Sequence, residues 1–404
     1  MNVGLFFQYF IIAGLINVSL FAFLLLGRKK NNAASFLLIL FMLLVSFQAL
    51  LNAFDTQDFF LTYPHLSRIS WLLPSLFGPL VYLFTKKITS KEVRLVQEDG
   101  IHFLPFAFYF GTLSDWFFTP AGEKNRLLRN FDELSRQDFG WLNQLSIFVI
   151  LFYLILTLRQ LQKYRQVIEN TFSEISTRRL EWIRTFVYSM LMILVISAFG
   201  FYGRKWSIPL LTNFYHYNYG LLVLLIYWMA YKSIIQPELY LALKEPPTVS
   251  NEVEPLLPAG WNEQPEDDLV SLPDTEVRKY QKSGLDTDTA VLLYSELLSY
   301  METNKPYLEP DLTIYKVAAS LKVPRHHLSQ VINEKAQKSF FDFINSYRIE
   351  EVKKQLASPE MANRSILGIA LDCGFNSKAT FNVTFKKFTG MTPSAYQKAQ
   401  AVDV

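Results

Sequence analysis

The chain has 404 residues, of which 50% are hydrophobic and 16% aromatic against 19% charged, a balance too apolar for an ordinary soluble protein. A net charge of +3 decides nothing, because it averages regions of opposite sign, and the lone Cys373 excludes an intrachain disulfide framework or a cysteine-rich metal site. Cys373 reads as a small buried residue rather than a reactive thiol.

The apolar excess is confined to the first 231 residues, where seven stretches stand out: 5–26, 34–54, 66–85, 101–118, 141–158, 183–202 and 211–231. Most approach the ~20 residues that a helix needs to cross the hydrocarbon, so a seven-helix transmembrane bundle over 1–236 is expected. The first stretch has no basic lead and runs into Arg28, Lys29 and Lys30, which marks a span rather than a cleaved signal. Connections one, three and five carry twelve Lys and Arg, against seven for the N-terminus and the even connections. That bias places the N-terminus outside and the C-terminus in the cytoplasm. Trp71, Trp116, Trp141 and Trp206 fall near outer span ends and Trp182 and Trp228 near inner ones, as interfacial anchors do.

Pro74, Pro79 and Pro105 interrupt the third and fourth spans. Broken helices of this kind can line a ligand cavity, although proline is also common in membrane helices. Asp115 and His216 lie near outer span ends, within reach of water or of a polar ligand. No span carries the buried charged relay usual in a proton-coupled pump.

Residues 237–288 contain seven prolines and twelve acids against four bases, a composition that argues for a disordered acidic linker. A solvated tether is the plainer reading; competition with DNA for the basic domain behind it is the functional one.

Beyond the tether, an all-α domain over 289–404 is expected. A first helix at 289–302 shows an apolar stripe at Val291, Leu292, Leu298 and Met301, and a second runs over 314–321 with Thr313 as its N-cap. Pro324 opens a third over 325–335, with Leu328, Val331 and Ile332 inward. That leaves Arg325, His326, Ser329, Gln330 and Asn333 outside, side chains suited to base edges and phosphates. His327 is expected along the domain surface, and the adjacent His326 and His327 diverge too far on a helix to form a metal pair. A long helix over 340–357 follows, and then the plan repeats: a helix at 365–373, a tight turn around GFNS at 374–377, and a helix at 378–388 with a basic outer face. A last helix spans 392–399. Eighteen residues at ~1.5 Å each make the long helix a rod of roughly 27 Å. With its turns, that approaches the ~34 Å between successive major-groove faces. Over 322–398 twelve bases oppose six acids, which suits phosphate binding.

Ile369, Ala370, Gly374, Phe375, Phe381, Phe385, Lys386, Lys387, Gly390, Thr392, Pro393 and Tyr396 resemble the signature of AraC-family transcriptional regulators. Leu328, Ser329, Gln330, Asn333, Phe343, Ile344, Arg348 and Ile349 resemble that family's first unit and linker helix. Val352 and Gln397 depart from the pattern, where the family often has Ala and Arg. The whole chain looks like membrane-anchored members with a multi-span sensor, of a Bacteroidetes type. The resemblance implies double-stranded DNA and the lipid bilayer as partners, a signal ligand or partner of unknown identity, and leaves a homodimer open. It implies base contacts from His326, Ser329, Gln330 and Asn333 in the first unit and from Lys378, Ala379, Thr380 and Asn382 in the second. Arg325 and Lys386 would then hold phosphates. No cofactor and no metal is implied.

The reading is therefore a multi-pass regulator of the bacterial inner (cytoplasmic) membrane that couples an external or membrane signal to gene expression. The alternative is a membrane transporter or channel with a regulatory cytoplasmic helical domain. An enzyme is disfavoured, since the sequence has no HExxH, no Walker A loop, no intramembrane Asp pair and no Gly-rich nucleotide box.

Overall fold

The computed structural model describes residues 33–54, 56–90, 94–130, 141–175, 180–206, 220–229, 285–358 and 364–402, with a few single positions besides. Among them every regular element is helical, and one isolated antiparallel bridge joins Phe172 to Thr313. The chain divides into two compact units. The first is Met1–Gln162 with Leu180–Leu243, and the second is Lys163–Arg179 with Lys244–Val404. The C-terminal unit thus takes seventeen residues from the middle of the apolar half.

In the first unit, α1 (Ala33–Ala53) buries Leu38, Met42, Val45 and Ala49, and Phe41 meets Phe77 and Phe186 edge-on. The short α2 (Gln57–Thr62) is capped by Thr56. A 3-10 turn and α3 (Ile69–Leu72) meet α4 (Pro74–Ile88) at 47°, because Pro74 suits the first turn of a helix and cannot donate to the one before it. At Gly78 a Cβ would lie 2.8 Å from the Cβ of Tyr153, so only glycine lets α4 approach α7 (Trp141–Thr171) this closely. Between them come α5 (Leu104–Phe118) and α6 (Ala121–Leu128); α8 (Glu181–Lys205) and α9 (Gly220–Met229) follow. Lys86 and Lys87 at the end of α4 both reach Asp99, at 2.9 and 2.7 Å, which fixes α4 to the 3-10 turn Gln97–Phe103.

The expectation of seven spans needs correction. Three helices among the described residues are long and apolar enough to cross a membrane: Ala33–Ala53, Gln144–Thr171 and Glu181–Gly200. The bent pair Pro64–Leu72 and Pro74–Ile88 makes a fourth if it counts as one span. The stretch at 101–118 divides, because Pro105 starts a new helix, and α5 has 15 residues, or about 22 Å, short of the ~30 Å hydrocarbon core. The seventh expected span is represented by α9 alone, and the first lies almost wholly outside the described residues. So does the acidic tether, except its last four residues, of which Thr287 and Asp288 already belong to α10.

In the second unit, α10 (Thr287–Asn304) turns Ala290, Leu293, Leu297 and Met301 inward. The stripe expected at Val291 and Leu292 is instead exposed, because Leu293 and Ala290 pack against Val331 and set the helix's rotation. Next, α11 (Ile314–Ser320) starts at Thr313, whose hydroxyl accepts from the Lys316 amide as expected. Then α12 (Arg325–Val331) continues through a π turn, Ile332–Ala336. The rod α13 (Phe340–Ala357) has 18 residues and begins at Ser339, which caps Asp342. After it come α14 (Ile366–Asp372), α15 (Lys378–Thr389) and α16 (Pro393–Val402).

Two cores share the rod. Phe340, Phe343 and Ile344 join Leu328, Val317 and Leu297 in the first, and Ile349 and Val352 join Phe375, Phe381 and Phe385 in the second. Between them Arg348 is fully buried. Its Nε donates to the Tyr307 carbonyl at 2.7 Å and its Nη2 to the Glu309 carbonyl at 2.7 Å. The turn between α14 and α15 closes on this group. Gly374 has φ 90°, and a Cβ there would lie 2.5 Å from the Tyr307 carbonyl oxygen and 2.9 Å from Arg348 Nε. Gly374→Ala is therefore expected to cost about 3 kcal/mol or more, from the left-handed backbone plus a clash with atoms that cannot yield. Gly390 also has positive φ but open space around it, so Gly390→Ala should cost only about 1–2 kcal/mol. Thermal unfolding of the purified full chain in detergent, followed through the C-terminal unit, compares the two.

Candidate nucleic-acid interface

The first helix-turn-helix unit is α11, the turn at 321–324 and α12. Pro324 sets the entry to α12, and Arg325 lies over the Tyr315 ring at 5.2 Å while donating to its hydroxyl at 3.1 Å. That stack fixes the guanidinium at the helix start, where a phosphate contact is useful. His326 is exposed, and Ser329 and Asn333 are half-buried. Gln330 departs from the outward face expected of it. It is 6% exposed, and its amide donates to Glu334 Oε1 at 3.0 Å. His327 is buried too, not spread on the surface, and burial, with His326 beside it, lowers its pKa. The reason is helical phase: residues 327, 330, 331 and 334 follow one another along one flank, and Val331 pins that flank to the core. The π turn that follows carries Asn333 off the straight continuation of Ser329.

The second unit is α14, the Gly374 turn and α15. Ser365 and Ser377 cap the two helices, the latter accepting from the Thr380 amide at 3.1 Å. Phe381, Thr384 and Phe385 are buried, which leaves Lys378, Ala379, Asn382 and Lys386 exposed on one face. Val383 shares that face at 65% exposure. The polar pattern gave no hint of it, but its offset of two residues from both Phe381 and Phe385 places it opposite the core, where it suits a thymine methyl. Thr380 is half-buried and already engaged: its hydroxyl lies 3.0 Å from Ser377 Oγ and 3.3 Å from Glu174 Oε1.

The formal excess of bases overstates what DNA would meet. Arg348 is inaccessible, and burial lowers its pKa to about 10. Arg364 is paired with Asp372, Lys387 with Asp342 and Lys353 with Glu350. Lys322, Lys335, Lys378 and Lys386 are exposed and form no ion pair among the described residues. Cys373 is fully buried in the second core, and desolvation pushes its thiol up to about 12.

Two helix-turn-helix units thus sit on one rod, each with an exposed polar flank. Residues 317–399 match a family model described as a helix-turn-helix domain. Over 104 residues, 26% of this chain, the sequence is 32% identical to the melibiose operon regulatory protein of Escherichia coli K12, and covers 32% of that protein. An uncharacterised HTH-type transcriptional regulator of Staphylococcus aureus is 32% identical over 103 residues, of which it has 13% of its length in the match. The chain thus spans a third or less of these curated relatives. A solved structure of a protein of unknown function from Listeria innocua aligns over 26% of this chain and 94% of its own, at 26% identity and TM-score 0.23. The C-terminal region carries a helix-turn-helix domain, and its relatives are named as transcriptional regulators.

Two outcomes check this geometry. Arg348→Lys should destabilise the C-terminal unit by about 3 kcal/mol, because an ammonium cannot reach carbonyls that a planar fork holds apart. Cys373 should resist a thiol reagent at pH 8 in the folded chain and react fully once denatured, read by mass spectrometry of the labelled protein.

Proposed function

We propose that the chain is a membrane-bound, sequence-specific transcription regulator of the AraC type, in which the apolar half receives a signal and the C-terminal unit reads DNA. The observation that carries the reading is the exposed flank of α15, Lys378, Ala379, Asn382, Val383 and Lys386, held on the same rod as α12. That flank offers two cations, an amide and two apolar contacts over about two helical turns, a mixture suited to base edges and phosphates. The regulator names of the relatives support the same reading.

Membrane attachment is supported by three long apolar helices whose outer sides expose large side chains: Phe36, Phe148, Phe152, Met192 and Phe199 are each more than half exposed. Large apolar side chains exposed in this number are costly in water and suit lipid. Placement in a bacterial inner membrane, with the C-terminal unit on the cytoplasmic side where DNA is reached, is part of the same proposal.

The test is binding of the purified full chain, in detergent or nanodiscs, to a library of genomic fragments. Sequence preference at moderate salt is expected; its absence would end the regulator reading. With a selected site, Asn382→Ala should cost about 1–3 kcal/mol at one base position. Lys386→Ala should weaken all sequences alike and reduce the salt slope by roughly 0.9.

A further inference from the structure

The second unit includes a short segment that the sequence assigns to the apolar half. Residues 172–175 follow α7, more than a hundred positions before the reading domain, yet they are built into its surface. The Ser173 amide donates to the Leu312 carbonyl at 3.1 Å, beside the Phe172–Thr313 bridge. The Ser173 carbonyl receives Asn345 Nδ2 at 3.1 Å and Arg348 Nη1 at 3.3 Å, and its hydroxyl receives Arg348 Nη2 at 3.0 Å. Ser173 and Ile175 are fully buried and Glu174 is 9% exposed.

This anchorage aims one side chain at the reader. Glu174 Oε1 accepts from the hydroxyl of Thr380, in the first turn of α15, where the Ser377 cap also sits. The start of a helix favours one negative group, a carboxylate or a phosphate equally. It does not favour both, since two anions a few ångströms apart repel.

We propose that residues 172–175 form an autoinhibitory strap, with Glu174 occupying the place on α15 that a DNA phosphate takes in the bound state. The inference rests on the DNA-reading function proposed above. It adds a route for the signal. The strap continues without a break into the end of α7, so a shift of that helix end reaches Ser173 and Glu174 directly. Arg348 and Asn345 hold the strap through hydrogen bonds to its backbone and to Ser173, so changing the Glu174 carboxylate removes the block and leaves those bonds in place, with Asp311 and Glu309 still supporting the Arg348 charge.

The experiment uses the full chain in nanodiscs and its best-bound genomic fragment. Glu174→Gln, which keeps the side chain's shape, and Glu174→Ala should each bind that DNA roughly fivefold or more tightly than the wild type, a normal size for coupling between sites. Hydrogen exchange over 172–175, slow in the free protein, should accelerate when the DNA is added. Equal or weaker affinity in both variants, or a segment that stays protected with DNA bound, would overturn the strap while the regulator reading stands. If neither wild type nor variants prefer any sequence, the regulator reading falls and the strap falls with it.

Discussion

A guanidinium with no exposed surface holds the C-terminal unit together. Arg348 donates to the carbonyls of Tyr307, Glu309 and Pro310 and to the carbonyl and hydroxyl of Ser173, all of them neutral oxygens. Its charge is supported from further off by Glu174, Asp311 and Glu309. A buried cation costs several kcal/mol unless every donor is used, and here the planar fork is matched by acceptors from separate parts of the chain. That requirement fixes the turn at 306–310, forbids a side chain at Gly374, and gives residue 173 its seat.

The position of Arg348 along α13 explains why one residue can do this. Ile344 belongs to the first core and Ile349 to the second, so Arg348 lies where the rod passes from one to the other. The rod positions the second helix of each helix-turn-helix unit, and the clamp ties that junction to the Gly374 turn before α15. Asn376 in the same turn bonds to Asp311 at 3.0 Å, so the turn is held to the first half of the domain at a second point. Orientation of the second reader is therefore a property of the whole unit rather than of its own three turns.

Punctuation in the sequence located the domain's helices well. Thr313 caps the helix it was expected to start, and α13 has the bounds that periodicity gave it; Ser339, Ser365 and Ser377, which the sequence pattern did not single out, cap theirs as well. Rotation about the helix axis was harder to read. Val291 and Leu292 look like core and are exposed, while Gln330 and His327 look like surface and are buried. Hydrophobicity ranks residues one at a time; which flank of a helix is covered depends on what packs against it, here Val331 against α10. Charge suffered in the same way, since a count of bases cannot distinguish Arg348 in the core or Arg364 on Asp372 from the open Lys378 and Lys386.

The sequence by itself determined that an apolar half precedes a basic, helical C-terminal domain, and it placed Thr313 and Pro324 at helix starts there, because caps, prolines and periodicity are local properties. Pro74 and Pro105 marked interruptions in the sequence, but only the tertiary structure decided how long the resulting pieces are and which of them are long enough to span a bilayer. It also decided which polar residues stay open to a partner and that residues 172–175 belong with the reading domain. Glu174 and Thr380 are separated by 206 positions, and no local pattern records a contact that exists only because a buried arginine holds both neighbourhoods in place.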